Sequence, residues 1–318
     1  MAQLPDDITI TRATQADLAD VVELNRTEND DDRMTTGYLD WWYFNNPFNS
    51  FSFFLARYEG KGAGMCTSND AIFSINGKPW KSGFIQKVLT SNAVRGKGLF
   101  GKLYVKTDTD FMERGGDCFL AFPNAVAKPI YLAKYNYSHG IYPDLTLLFT
   151  NPAHLLAGSS YEVTTKLDDA FFQTRTFQFD NAMIKDQKFL QWRYLTFQSP
   201  HYKYVTLAVK RDRKLVGYAF LKKIKKQGLP VFVLMDVAFH QVADLAHVIK
   251  QARIYAAKQL TVGLLYMGNP LIDTATKGVA RKVWRNQFDF LVKGKNQGET
   301  DELANVTFNF FFGDLDFV

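Results

Sequence analysis

The chain has 318 residues, 47% hydrophobic and 22% charged, which suits two ordinary globular domains better than one. Its 38 Lys and Arg exceed its 32 Asp and Glu, giving a net charge of +6; this is too mild to argue for nucleic acid, and it favours an anionic small ligand. No apolar run approaches the ~20 residues of a membrane span, and MAQLPDDITI lacks the segments of a signal peptide. Cys66 and Cys118 sit in apolar, strand-like surroundings as thiols, so a reducing, cytoplasmic compartment is expected.

Asp7–Ala13 alternates like a first strand, and Thr14-Gln15-Ala16-Asp17 caps the helix DLADVVELNR. An acidic loop, Thr27–Met34, follows, and then the aromatic segment Gly37–Phe44 with a break at Asn45-Asn46-Pro47. Phe51–Tyr58, Gly64–Ile75 and Trp80–Thr90 read as an antiparallel meander, with Asn76-Gly77 as a hairpin turn.

The stretch around which the rest is organised is Phe84–Asn124. It reads as a strand to Thr90, a loop Ser91–Gly98, a helix from about Leu99 to Met112 and a short buried strand Cys118–Phe122. Leu99, Leu103 and Phe111 fall near one helix face, and Gly115-Gly116 ends the helix with Arg114 in its last turn. Glycines at a helix start suit an anion, because unpaired amides and the positive end of the dipole face the same point. Gly96–Gly101 satisfies GxGxxG, but Ser91–Arg95 separate it from its strand and Asp117 starts the next strand instead of ending it. The P-loop pattern fails at Leu103, where a hydroxyl would hold magnesium.

VLTSNAVRGKGLF (Val88–Phe100) resembles the acyl-CoA motif of the GCN5-related N-acetyltransferases, the GNAT superfamily. Arg95 and Gly98 match; Phe100 stands where Gly or Ala is usual. Phe122-Pro123-Asn124 and Pro129–Tyr137 are similar to the superfamily's next strand and helix, the helix here running over about Ala125–Tyr135. The resemblance implies acetyl-CoA as cosubstrate. Val88 and Leu89 would face the pantetheine, and Arg95, Gly96, Lys97, Gly98, Phe100 and Gly101 would wrap the diphosphate, with Asn124 nearby. It also implies N-acyl transfer by direct attack of a neutral primary amine. The backbone N–H of Leu89 would polarise the thioester oxygen. Many members place a Glu on this strand; here Gln86 stands in that neighbourhood and orients a water or the acceptor without acting as a base. Many also place a tyrosine four residues before a Gly-aromatic pair. That pair is here Asn136-Tyr137, and Tyr131 is one place off, so Tyr131 is either the acid or a packed aromatic. The acidic loop Thr27–Met34 is either a solvated linker or a selector of a cationic amine.

Ile141–Thr150 is expected to close this domain as a strand, with Asn151–Ser160 as a link. Beyond it the chain repeats. Phe189–Tyr194 is similar to Tyr38–Tyr43, Gly217 falls where Gly64 stood, Asp236-Val237-Ala238-Phe239 where Lys87–Thr90 stood, and Gly268-Asn269 near Asn124. The second copy lacks the glycine loop. The expectation is an α/β (α+β) fold of two tandem GNAT-like domains, 1–150 binding acyl-CoA and 151–318 degenerate. Each would have a mixed, mostly antiparallel sheet flanked by helices. Phe308–Val318 is expected as a last strand, with Asp314 and Asp316 reaching towards the domain interface. The five histidines have no metal-ligand spacing. Two other classes remain open: a non-catalytic CoA- or partner-binding module, and a Fem-type aminoacyl-tRNA-dependent transferase. Neither the acceptor nor the oligomeric state is legible.

Overall fold

The computed structural model describes residues 7–48, 50–175 and 177–315; the first six residues of the opening segment and Asp316 lie outside them. The chain divides into two compact units, one of Met1–Phe73, Lys78–Gly140 and Phe290–Asn305, the other of Ser74–Gly77, Ile141–Asp289 and Val306–Val318.

The first unit begins with β1 (Thr9–Arg12), α1 (Leu18–Asn29) and α2 (Thr36–Leu39), which runs on as a π-helical turn, Asp40–Phe44. β2 (Phe51–Tyr58), β3 (Lys61–Ile75) and β4 (Lys78–Thr90) form the expected meander. Asn76 and Gly77, at φ 50° and 74°, close the β3–β4 hairpin with the double left-handed turn that Asn-Gly favours. α3 (Leu99–Glu113) buries Leu99, Leu103, Tyr104, Thr107 and Phe111. It stops at Gly115 in the left-handed region, where the amides of Gly115 and Gly116 bond back to Met112 and Phe111. Arg114 serves less as a dipole cap than as the centre of a half-buried network: it pairs with Asp70 and Asp110 and donates to Ser52 Oγ at 2.8 Å. β5 (Cys118–Ala121), α4 (Lys128–Lys134) and β6 (Ser138–His139) complete this stretch.

The second unit contains β7 (Leu145–Phe149), α5 (Ala153–Leu156), β8 (Tyr161–Thr164), α6 (Asp169–Thr174), β9 (Ala182–Met183) and α7 (Gln187–Gln191), which also passes into a π-helical turn, Trp192–Thr196. β10 (Tyr204–Arg211), β11 (Lys214–Lys226), β12 (Leu229–Phe239), α8 (Val242–Lys258), β13 (Gly263–Met267), α9 (Pro270–Ala275) and β14 (Arg281–Trp284) follow. The chain then supplies β15 (Leu291–Gly294) and α10 (Gln297–Ala304) to the first unit. The sheets run β1-β2-β3-β4-β5-β15-β6 and β14-β7-β13-β12-β11-β10-β8, each mostly antiparallel with one parallel pair, β4–β5 and β12–β13.

Two expectations change. Leu145–Phe149 does not close the first sheet: it pairs antiparallel with Gly263–Met267 and with β14. The place beside β5 goes to β15, in the register Leu291↔Ala121 to Gly294↔Cys118. Both are short apolar runs, and only non-local pairing decides which sheet each joins. The tail 308–315 is buried but not a strand. Its backbone is engaged by a side chain instead, with Arg193 donating to the carbonyls of Gly313 at 3.0 Å and Leu315 at 3.1 Å.

The repeat is visible in shared element order and in one equivalent contact. A Cβ on Gly64 would lie 3.1 Å from the Leu89 carbonyl and 2.9 Å from Leu99; one on Gly217 would lie 2.6 Å from both the Ala238 carbonyl and Val248. Each glycine lets its strand and the following helix close on the same strand position, Leu89 or Ala238.

Candidate active site

β4 and β5 pair in parallel only from Ser82↔Cys118 to Ile85↔Ala121. Gln86–Thr90 run beyond the end of β5 and stay half-buried. On the other side they remain attached to β3, through the Ser91 amide on the Ala63 carbonyl at 2.8 Å and the Lys87 amide on Thr67 Oγ1 at 3.0 Å. Val88 packs against two apolar clusters, one holding Leu99 and Leu103, the other Tyr104 and Tyr131.

The loop turns twice before the helix: Val94 N–H bonds to Ser91 and Lys97 N–H to Val94, with Val94 buried as the anchor. Gly96 and Gly98 have φ of 80° and 85°. A Cβ on Gly96 would meet nothing within 4 Å, so the backbone hand, not space, requires glycine there. Gly98 occupies the N-cap of α3 without a side-chain cap, and the first turn carries no acid. The early amides of this fifteen-residue helix thus present an uncompensated positive end.

The predicted cations do not point at that end. Arg95 donates to the Thr90 carbonyl at 3.1 Å and lies 3.4 Å from Glu28 Oε2; Lys97 donates to the Ala93 carbonyl at 3.1 Å. Glu28, its side chain only 5% exposed, also accepts from the Asn92 amide at 3.1 Å. It tethers the loop to α1 from 64 positions away, and nothing local in the sequence marks it. Asn124 spends its side-chain oxygen on the amides of Val126 and Ala127, at 3.1 and 2.9 Å, ordering the turn into α4.

Phe100, Gly101 and Tyr131 are brought together at the start of α3. Phe100 lies 5.8 Å from Tyr131 and 6.1 Å from Tyr135, ring to ring. A Cβ on Gly101 would stand 2.9 Å from the Tyr135 hydroxyl, so this glycine admits that phenol to the first turn. Tyr131 is buried and Tyr135 half-buried. Burial pushes the Tyr131, Tyr104 and Tyr137 phenols well above their ordinary value, and raises Tyr135 as well. Gln86 accepts from Trp42 Nε1 at 2.6 Å, and Trp42 stacks on Tyr38 with centroids 6.1 Å apart. With its oxygen oriented by Trp42, Gln86 has its amide N–H groups to offer. No local motif marks Trp42 as a site residue, although it lies in the repeated segment Tyr38–Tyr43.

The second unit lacks these features. α8 carries Asp244 in its first turn, buried and paired with Arg211 at 2.8 Å, so its positive end is already answered. Phe177 stacks on Phe239 at 4.7 Å and Phe179 stands against it, filling the space beside the end of β12. The bulk charge is also misplaced for a cofactor argument. The first unit has 17 Lys and Arg against 19 Asp and Glu, and the second 21 against 13. Within the first unit the favourable charge at the loop comes from the open start of α3, not from a surplus of basic residues.

The family model of the acetyltransferase (GNAT) domain matches residues 9–140, the segment that holds this site. No curated protein matches the chain by sequence. Among solved structures, it is similar to a GCN5-related N-acetyltransferase from Anabaena variabilis, at 13% identity over 91% of this chain and 73% of that one, TM-score 0.67. A GCN5-related N-acetyltransferase from Kribbella flavida matches at 12% identity over 94% and 74%, TM-score 0.62. The Saccharomyces cerevisiae N-myristoyltransferase with bound myristoyl-CoA matches at 12% identity over 96% and 90%, TM-score 0.58. These likenesses show a shared fold, spanning nearly the whole chain.

Proposed function

We propose that this chain, which carries a GNAT domain over residues 9–140, transfers an acyl group, in the first instance acetyl, from acyl-CoA to the primary amine of a small molecule, amino sugar or peptide. The observation that carries the reading is the open positive end of α3 beside a parallel strand pair that stops pairing at Ile85–Ala121. Amides from Gly96 to Gly101 suit a diphosphate, with Arg95 able to exchange its contact with Glu28 for it. The end of β4 that runs past β5, around Val88 and Leu89, suits an extended amide chain, and a backbone N–H on its open edge suits the developing oxyanion. Acyl-CoA supplies a thioester: the amine nitrogen bonds to its carbonyl carbon, the C–S bond breaks, the amine loses a proton and the thiolate gains one. Gln86, fixed by Trp42, orients the acceptor or a water. The second half is read as a diverged copy without a cofactor site. The free, buried thiols of Cys66 and Cys118, pushed up to about 12 by burial, suit the reducing cytoplasm.

Thermal stability with acetyl-CoA, CoA, NAD and ATP in parallel tests the cosubstrate. At a hundred times its Kd a ligand stabilises by about 2.7 kcal/mol. A shift with acetyl-CoA and CoA alone, followed by amine-dependent thiol release, is the expected result; a shift with NAD or ATP instead removes the reading. Two phenols compete for the acid. Tyr131 lies one place from the position of the superfamily pattern, and Tyr135 has the access. Loss of the true acid should lower kcat by about 10²-fold or more with CoA affinity unchanged. Tyr131→Phe and Tyr135→Phe compared side by side assign the role, and equal activity in both excludes either.

A further inference from the structure

We propose that one end of the second unit docks on the surface of an anionic lipid membrane, with Leu229, Leu260 and Leu156 entering the interface and nearby lysines meeting the headgroups. Three contacts bring the segments of these leucines together. The Val262 amide donates to the Pro230 carbonyl at 3.0 Å, the Thr150 amide to the Val262 carbonyl at 3.0 Å, and Thr150 Oγ1 to the Thr261 carbonyl at 2.9 Å. The tip of the β11–β12 hairpin, the C-terminus of α8 and the chain leading from β7 into α5 therefore lie side by side. Leu229, Leu260 and Leu156 are 54%, 77% and 93% exposed. Leu260 is the most telling of them. Its amide bonds back to Ala257 at 2.8 Å and that of Thr261 to Ala256 at 3.1 Å, so Leu260, at φ 55°, holds the left-handed position that glycine commonly fills at such helix ends. Glycine would serve the fold better there, so an exposed leucine answers to something outside the chain.

The charge around these leucines has one sign. Residues 145–161, 213–235 and 245–272, from which this end is built, contain no Asp or Glu. Lys223 donates to the Gln259 carbonyl at 3.3 Å, and none of Lys223, Lys225 and Lys258 has an ion pair among the described residues. Lys226, paired with Leu229 across the hairpin, and Lys282 both lie over the Trp284 ring, at 5.4 and 4.9 Å. Burial, and then Arg253 and Lys250, hold the His154 imidazole on α5 below its ordinary value, so the positive field extends to that helix. Exposed apolar side chains ringed by unpaired lysines match a bilayer interface, where the hydrocarbon stems lie along the acyl boundary and the ammonium groups meet lipid phosphates. The leucines stand on turns and a short helix and not along a groove, which favours a fluid interface over a folded partner. No helix among the described residues is long and apolar enough to cross a membrane, so this end would lie on the surface without spanning it. None of these residues takes part in the acyl-transfer reading, so the docking surface stands or falls independently of it.

The test is co-sedimentation of the full chain with phosphatidylcholine vesicles, with and without phosphatidylglycerol, at low and high salt. Wild type should bind the mixed vesicles, bind phosphatidylcholine alone only weakly, and lose affinity as salt rises. Leu260→Gly should weaken binding to the mixed vesicles by about tenfold, the value of an inserted leucine, while leaving the Tm unchanged or higher. A leucine kept for packing would instead lower the Tm and leave vesicle binding alone. Lys225→Gln and Lys258→Gln should each weaken binding by about fivefold, an effect that fades at high salt. No binding to the mixed vesicles, or equal binding to phosphatidylcholine alone, overturns the proposal. Unchanged binding in Leu260→Gly also overturns it, since the surface would then be a general polyanion site. So does a lipid-free dimer that Leu260→Gly dissociates, because a second copy of the chain would then be the occupant.

Discussion

Gly98→Asp is expected to abolish detectable CoA binding, a loss of at least about a hundredfold, while the chain remains folded. Three effects act together. At φ 85° the glycine is in the left-handed region, where an aspartate costs roughly 1–2 kcal/mol. The new carboxylate caps the amides that the diphosphate would use, and places a negative charge where a second is to bind. The same carboxylate stabilises α3 through its dipole by about 0.3–1 kcal/mol, which offsets much of the backbone strain and keeps the fold. Arg95→Glu should act in the same direction without strain, since Arg95 is exposed and would face Glu28 as a like charge. Calorimetry with CoA, alongside circular dichroism, checks both. Unchanged affinity in both variants would remove this loop from the site.

That loop was legible because its determinants are local. Gly96 and Gly98 announce left-handed backbone, and the spacing of Leu99, Leu103 and Phe111 announces the buried face of α3. The meander was legible for the same reason, through Asn76-Gly77 and alternating strands. What escaped depends on partners far along the chain. LTLLF and LVKG are equivalent as strand signals, yet they join different sheets. Phe308–Phe311 looks like a strand until Arg193 claims the carbonyls that follow it. Arg95 and Lys97 carry the right charge for a diphosphate, but their resting partners are Glu28 and backbone carbonyls within reach of the loop. The place of Gln86 on β4 is a local feature, whereas the Trp42 N–H that fixes its orientation lies 44 residues earlier. The repeat was legible as a pattern, and the paired glycines Gly64 and Gly217 give it a physical meaning that composition alone does not.

Lys185→Met should be among the most destabilising single changes in the second unit, by about 3–5 kcal/mol at neutral pH. Methionine fills nearly the same space, so packing against Phe311, whose ring centre lies 4.7 Å from Nζ, is largely kept. What is lost is the ammonium that pairs with two buried carboxylates, Asp236 at 1% exposure and Asp314 at 3%. At about 2–4 °C per kcal/mol, the Tm should fall by roughly 10 °C. The deficit should also depend on pH. Burial already pushes the Asp314 carboxyl up to about 6, opposed by Lys185. Between its ordinary value near 3.8 and about 6 the folded chain holds a proton that the unfolded chain has released. This group's contribution is therefore fully present below that window and is lost as pH rises through about 6. Without Lys185 the carboxyl rises further, so acidification relieves the variant over a wider range than wild type. Thermal unfolding of wild type, Lys185→Met and Asp314→Asn from pH 8 to pH 5 measures this. The Lys185→Met deficit should shrink as pH falls, and Asp314→Asn should flatten the slope. A deficit below about 1 kcal/mol at pH 7, or one that is constant with pH, would mean that solvent reaches these carboxylates and that the cluster is not the closed charge network described above.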